Sequence, residues 1–157
     1  MPRPMRKGNL EVGAERAFNI LESGEYGFLS TVSEDGSPYC IALSHILLDK
    51  AIYFHCAVQG HKIDNIRRDN RVCYTVVGRT KVVQAEFTTE YESAVVFGRA
   101  EIIDDKQEKL HAMLKICEKY TPEFIDKAEE IILQAMDRML IGKITVERIT
   151  GKVKAGK

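Results

Sequence analysis

The residues with the most chemistry to offer lie close together, between positions 52 and 68. Ile52-Tyr53-Phe54-His55-Cys56-Ala57-Val58-Gln59-Gly60-His61-Lys62 reads as a strand, a loop and the start of a helix. A helix N-terminus presents backbone N–H groups that have no intrahelical partner, together with a partial positive charge. Anions bind there readily, and phosphate is the anion this pattern suits. Gly60 lets such a group approach the backbone closely. Lys62 adds a point charge, and His61 adds a donor. Arg67 is a candidate second phosphate ligand, whereas Arg68 is expected to face solvent. The same residues would also make a capped surface helix with a basic face.

Other polar groups carry less. His45 sits among Leu43, Ile46, Leu47 and Leu48, so it is either a hydrogen-bonded strand residue or one that faces a ligand. Cys40, Cys56 and Cys73 with His45, His55 and His61 show no spacing typical of structural zinc, and no metal is expected. Cys73 and Cys117 read as core residues and His111 as a solvated one. No Ser-His-Asp or Cys-His-Asn grouping is present, and no catalytic residue is assigned.

The elements that must position these groups follow from periodicity. Ala14, Ala17, Phe18 and Leu21 form one helical stripe that stops at Gly24. Residues 26–32 read as a strand, 33–38 as a hairpin turn around Asp35-Gly36, 39–48 as one long strand, and 51–56 as the next, giving a three-stranded meander. A short helix over 61–68 buries Ile63 and Ile66, and a strand follows over 71–77. Residues 78–90 form a polar, poorly periodic connector, partly extended, that is either a lid or a solvated loop. A strand over 91–103 contains Gly98, which suggests a bulge. Alternation there turns Tyr91 and Ser93 to one side and Glu92 to the other. Helices follow over 104–120 and from Thr121-Pro122 to about 139, with Thr121 as N-cap. A strand over 140–149 ends the fold. The expected class is mainly β (α+β): a six-stranded antiparallel split β-barrel with peripheral helices. Its divisions are a flexible arm at 1–9, one domain at 10–151 and a basic tail at 152–157.

The bulk properties narrow the partners. The 157 residues suit one domain with a sizeable core. Lys plus Arg equals Asp plus Glu, 23 each, so no global field draws the chain to nucleic acid or an anionic membrane. No apolar run reaches the ~18 residues of a membrane span. The basic start at Pro2–Lys7 lacks an apolar core, so no signal peptide is expected. With four widely spaced cysteines and no C-x-x-C, a reducing cytoplasm is expected.

The order of these pieces resembles a known family. An Asp-Gly turn, a long strand, Asp49-Lys50, Tyr53-Phe54-His55-Cys56-Ala57, Gly60-His61-Lys62 with Asn65 and Arg67, and Arg71-Val72-Cys73 come first. Tyr91-Glu92-Ser93 and Val95-Val96-Phe97-Gly98-Arg99-Ala100-Glu101 follow. Together they resemble the pyridoxamine 5′-phosphate oxidase-like flavoproteins, and within them the nitroimidazole-resistance branch, over residues 10–151. The resemblance implies an FMN-binding split barrel and a homodimer with FMN at the subunit interface. A Ser-Arg-Lys run that grips the FMN phosphate in the parent oxidases matches Gly60-His61-Lys62, with Lys62 retained and a guanidinium replaced by the His61 imidazole. A Tyr-Thr pair that meets the flavin matches His55-Cys56. The strand along the flavin ring matches Cys40-Ile41-Ala42-Leu43, with His45 at a lysine position. A glutamine from the second subunit matches Ser93, and Tyr91 on the same side would cover the ring. The parent family's carboxy-terminal substrate motif ends in Trp and Arg. This chain has no tryptophan, and 147–152 do not match, which argues against oxidation of pyridoxamine phosphate.

The implied function is an FMN-dependent oxidoreductase that reduces a small electrophile such as a nitroaromatic or nitroimidazole, with electrons from NADH or NADPH. In such an enzyme the cofactor carries the redox step and the protein supplies position. The alternatives are a non-catalytic flavin carrier and a haem-handling barrel that uses His45 or His55 as a ligand. No Rossmann fingerprint is present, so a nicotinamide would have to stack on the flavin in the open interface.

Overall fold

The computed structural model describes residues 3–156, and positions 1, 2 and 157 lie outside it. Strands β1 (Glu11–Val12), β2 (Tyr26–Val32), β3 (Pro38–Ser44), β4 (Ile46–Leu48), β5 (Ala51–Ala57), β6 (Arg71–Val83), β7 (Thr88–Ile103) and β8 (Met139–Lys154) form one sheet. The helices are α1 (Ala14–Ser23), α2 (His61–Arg68), α3 (Lys106–Tyr120) and α4 (Ile125–Ala135). Every strand pair is antiparallel, in the order β3-β2-β6-β7-β8-β5-β4, with β1 also on β8. The sheet curls into a half-barrel. The class is the expected split barrel with peripheral helices, with eight strands rather than six.

Alternation builds the core. Leu29 on β2, Tyr74 and Val76 on β6, Ala94 and Val96 on β7, and Ile52 and Phe54 on β5 point inward. Ile20 and Leu21 of α1 and Ile63 and Ile66 of α2 plug the same core. A second cluster lies behind β5 and β8, where Ile46, Tyr53 and Ile141 meet Ala112, Met113, Ile116 and Ile132 of α3 and α4. β5 is therefore covered on both faces over Ile52–Phe54, which hides its alternation. The bulge expected at Gly98 is present as a register shift between Phe97 and Gly98 against β8. A Cβ there would stand 2.2 Å from the Thr145 carbonyl oxygen, so only glycine fits.

Several expectations are corrected. The long strand over 39–48 is two strands, broken at His45. β3 and β4 lie at opposite ends of the sheet order, so there is no meander, and the break at 45 is where the curled sheet's two ends meet. Both faces of the β6–β7 arm over residues 78–90 are largely solvated, so its sequence shows no apolar alternation. The basic tail is strand: β8 runs to Lys154 because its backbone pairs with β7 and β1 whatever its side chains are. Finally, the helix expected from Thr121 starts with a 3-10 turn, Pro122–Phe124, while its end is as expected, because α4 runs on as a 3-10 turn over Met136–Arg138. The Thr121 hydroxyl donates backward to the Cys117 carbonyl at 3.2 Å instead of capping. Of the arm expected at 1–9, positions 1 and 2 lie outside the described residues, and Gly8–Leu10 form a 3-10 turn.

His45 is fully buried and cannot face a cofactor. Its Nε2–H donates to the Leu21 carbonyl at 2.7 Å. The Tyr74 hydroxyl lies 3.0 Å from Nδ1 and 2.8 Å from the Leu43 carbonyl. The Tyr120 hydroxyl and the Lys119 ammonium both donate to the His45 carbonyl, at 2.8 and 3.0 Å. With both ring nitrogens engaged inside the fold, the ring is unavailable to flavin or to haem iron.

Burial pushes the His45 imidazole down to about 4 from 6.5. The folded state therefore holds the neutral ring, while the unfolded chain takes up a proton below its ordinary value. This contribution to stability is complete above pH 6.5 and is lost as the pH falls from 6.5 to about 4. The total loss is about 3 kcal/mol. Urea unfolding at pH 7.5 and 4.5 checks it: the drop should be smaller in His45→Gln than in wild type, and an equal drop contradicts the assignment.

Candidate functional site

β5 delivers the chain to a glycine and then to α2. Gly60 has φ 140 and ψ 163, a conformation open essentially only to glycine. Its carbonyl accepts from the Ile63 and Asp64 N–H groups at 2.9 and 3.2 Å, which starts the helix. No side chain caps the helix, and a Cβ on Gly60 would meet nothing within 4 Å. The first N–H groups of α2 thus face open space.

α2 is held against the β2–β3 hairpin. Asn65 Nδ2 donates to Thr31 Oγ1 at 2.9 Å within the fold. Arg68 donates to the Val32 carbonyl at 3.0 Å and also to the Ser33 carbonyl. Arg68 is exposed, as expected, and its guanidinium in addition clamps the hairpin turn. His61 joins the same contact. Its Nε2 lies 3.0 Å from Ser33 Oγ, and its ring packs on Tyr39 with centroids 4.1 Å apart. Ser33 and Tyr39 are residues that sequence reasoning missed, because only the docking of α2 brings position 61 to a hairpin nearly thirty residues away.

Lys62 stands half-buried by the end of β5. Its charge is felt by both residues there. Burial first, and Lys62 second, lower the His55 imidazole below 6.5, so the ring is neutral at pH 7. Burial raises the Cys56 thiol, with Lys62 opposing, so Cys56 is a protonated thiol. His55 is exposed and Cys56 packs in the core on the opposite face of β5, and the Lys62 charge reaches both.

β3 ends the hydrogen-bonded order and pairs only with β2 among the described residues. Its second edge carries backbone donors and acceptors for a ligand. Along it Cys40 and Ala42 are exposed, while Ile41 and Leu43 are half-buried and pack on the core. Tyr91 and Ser93 are half-buried on β7, with β2 and β6 between them and β3. At about 4.8 Å per strand they stand roughly 14 Å from β3, so one protomer does not bring them to the Gly60 loop. Arg67 is not gathered either: it lines a separate depression with Asp69, Asn70, Glu101 and Asp104. Five positions along a helix carry it about 140° around the axis from Lys62.

Gly60→Val tests the backbone geometry. The new side chain meets open space, so the cost is conformational, about 1–3 kcal/mol. Urea unfolding should show it, and unchanged stability would mean that the left-handed turn is not adopted.

A family model described as Pyridoxamine 5′-phosphate oxidase matches residues 13–153. A protein of Bacteroides thetaiotaomicron, described provisionally as a 5-nitroimidazole antibiotic resistance protein, has a similar structure with a TM-score of 0.74 and 27% identity. That likeness covers 91% of this chain and 86% of the other. A conserved hypothetical protein of Mycobacterium tuberculosis aligns with a TM-score of 0.81 and 18% identity, over 98% of each chain. A flavocytochrome of Azotobacter vinelandii aligns with a TM-score of 0.82 and 17% identity, over 98% of this chain and 73% of the other. No curated protein matches.

Proposed function

Because the chain belongs to the pyridoxamine 5′-phosphate oxidase family, we propose that it is an FMN-dependent oxidoreductase that reduces a small electrophile such as a nitroaromatic. The observation that carries this reading is the uncapped start of α2: Gly60 in a glycine-only conformation with free space over it, and Lys62 alongside. That donor set fits a phosphate monoester, since backbone N–H groups and an ammonium both donate to its oxygens. The open edge of β3 fits the polar rim of a flavin ring, along Cys40–Leu43. The exposed His55 ring, held neutral by burial and by Lys62, stands at the end of β5 beside this start and leaves Lys62 as the local charge. When bound, the flavin supplies hydride and electron transfer between a reduced nicotinamide and the electrophile. The protein's own part is to hold the phosphate, orient the ring along β3 and leave one ring face open to substrate. The 27% identity to the Bacteroides protein supports a nitroimidazole or related nitroaromatic as the acceptor. Pyridoxamine phosphate oxidation is not proposed, because residues 147–152 do not match that family's substrate motif and lie within strand β8.

The reading includes a homodimer. One face of the sheet leaves Tyr26, Phe28, Val77 and Phe97 exposed at 52%, 38%, 49% and 44%. Register places them on one continuous surface: Phe28 lies opposite Thr75, and Thr75 lies opposite Val95. An apolar surface of that kind on a small domain favours association, and a second copy would bring its Tyr91 and Ser93 to the flavin. No described helix is long and apolar enough to cross a membrane. The four free cysteines suit the cytoplasm.

The protein as purified should show flavin absorbance, and anaerobic NADH or NADPH should bleach it. Flavin that bleaches with neither donor overturns the nicotinamide-dependent activity. Lys62→Ala should weaken FMN binding about tenfold or more while the circular dichroism stays unchanged. Unchanged affinity would remove the phosphate assignment. Sedimentation should give a dimer, and a monomer that retains FMN would contradict a shared site.

A further inference from the structure

The last residues of the chain look in sequence like a basic tail, yet pairing carries them into the sheet. Across β7 and β8, Ser93 lies opposite Lys152 and Tyr91 opposite Lys154. The Lys152 ammonium stands over the Tyr91 ring, 5.4 Å from its centroid. Lys154 donates to the Thr88 hydroxyl near the tip of the β6–β7 arm. Among the described residues no carboxylate forms an ion pair with Lys81, Lys152 or Lys154. Tyr91 and Lys154 line one depression with Arg79, Lys81, Glu90 and Glu92. Glu92 is already neutralised, by Arg16 at 2.7 Å and Arg79 at 3.3 Å. A chain whose formal charge is zero therefore sets Lys152 and Lys154, free of ion pairs, beside one half-buried aromatic ring.

Position gives that charge a use. Tyr91 and Ser93 are the residues that the proposed dimer brings to the partner's flavin, so this inference rests on the flavin reading. With no nucleotide-binding fingerprint in the chain, a dinucleotide donor must lay its nicotinamide on the flavin at the open interface. Its phosphates then need cations a short way off. We propose that Lys152 and Lys154 bind the phosphates of the reduced pyridine dinucleotide and select NADPH over NADH as the electron donor. The 2′-phosphate adds charge that two flexible ammonium groups can meet without fixed geometry. Tyr91 offers the base or ribose a surface, and Lys152 is already stacked there to receive the anion. The donor gives up one hydride to the flavin and leaves as the oxidised dinucleotide, so the lysines act in binding only.

The test is anaerobic flavin bleaching against donor concentration, in wild type and in the double variant Lys152→Gln, Lys154→Gln, which keeps polar stems of similar reach. Wild type should half-saturate at an NADPH concentration about tenfold or more below that for NADH. The double variant should lose that preference, with its FMN content, limiting bleaching rate and circular dichroism unchanged. Equal half-saturation for the two donors in wild type overturns the proposal, as does an undiminished preference in the variant. Calorimetric titration with NADP⁺ reads the lysines without any electron transfer. If the protein holds no FMN, the flavin reading fails alone. A dissociation constant for NADP⁺ that rises about tenfold in the variant would still support the lysine site. Wild-type protein that binds no NADP⁺ overturns it.

Discussion

The two ends of the sheet meet at a single imidazole. β3 closes one end of the hydrogen-bonded order and β4 the other, and His45 is the one residue between them. A strand that turns this sharply leaves polar backbone inside the protein, and buried polar groups must find partners. Here they do. The His45 carbonyl accepts from Tyr120 and Lys119 at the end of α3, the ring donates to the Leu21 carbonyl in α1, and Tyr74 joins the ring to the Leu43 carbonyl on β3. No buried side-chain nitrogen or oxygen is left without a partner among the described residues. The closure thereby fastens α1, α3, β3 and β6 to one point.

That closure shapes the candidate site. With β3 pinned at its end, its outer edge remains open and faces the region that α2 approaches. α2 is itself fixed by groups that carry no catalytic chemistry: Ile63 and Ile66 in the core, Asn65 on Thr31, and Arg68 on the hairpin carbonyls. The helix start is left uncapped because its N-cap residue, Gly60, has no side chain to offer. The end of α2 proposed to hold the phosphate is placed by packing at its other faces. It combines with Lys62 to put one positive charge next to two neutral residues of β5.

The opposite face of the sheet follows a different logic. Inside, large aliphatic residues fill the barrel. Outside, β2, β6 and β7 present aromatic and aliphatic groups, while β8 sets Arg148 over Phe97 at 5.7 Å and Lys152 over Tyr91 at 5.4 Å. Apolar surface there suits a second copy, and the basic margin suits an anion. Helices α3 and α4 cover only the part of the sheet around β5 and the start of β8, so this face stays available.

Wherever side-chain period reflected local exposure, the chain could be read directly. β2 and α2 have the bounds their periodicity implies, Gly98 marks a bulge, and the ordered motifs from Tyr53 to Glu101 carry the family. What could not be read depends on partners distant along the chain. His45 looks the same in sequence whether it faces a ligand or seals a barrel; only the contacts of Leu21, Tyr74 and Tyr120 decide, and they lie 24, 29 and 75 residues away. The polar arm and the basic end of β8 are strands because backbone pairing across β6, β7 and β8 is indifferent to side-chain type. The sequence by itself determined the family, the barrel class and the Gly60-His61-Lys62 helix start, since these rest on local pattern. Tertiary structure alone decided that His45 is a closing pin, that Arg68 is a clamp, and that Lys152 and Lys154 stand beside Tyr91, since long-range hydrogen bonds and strand register leave no local signature.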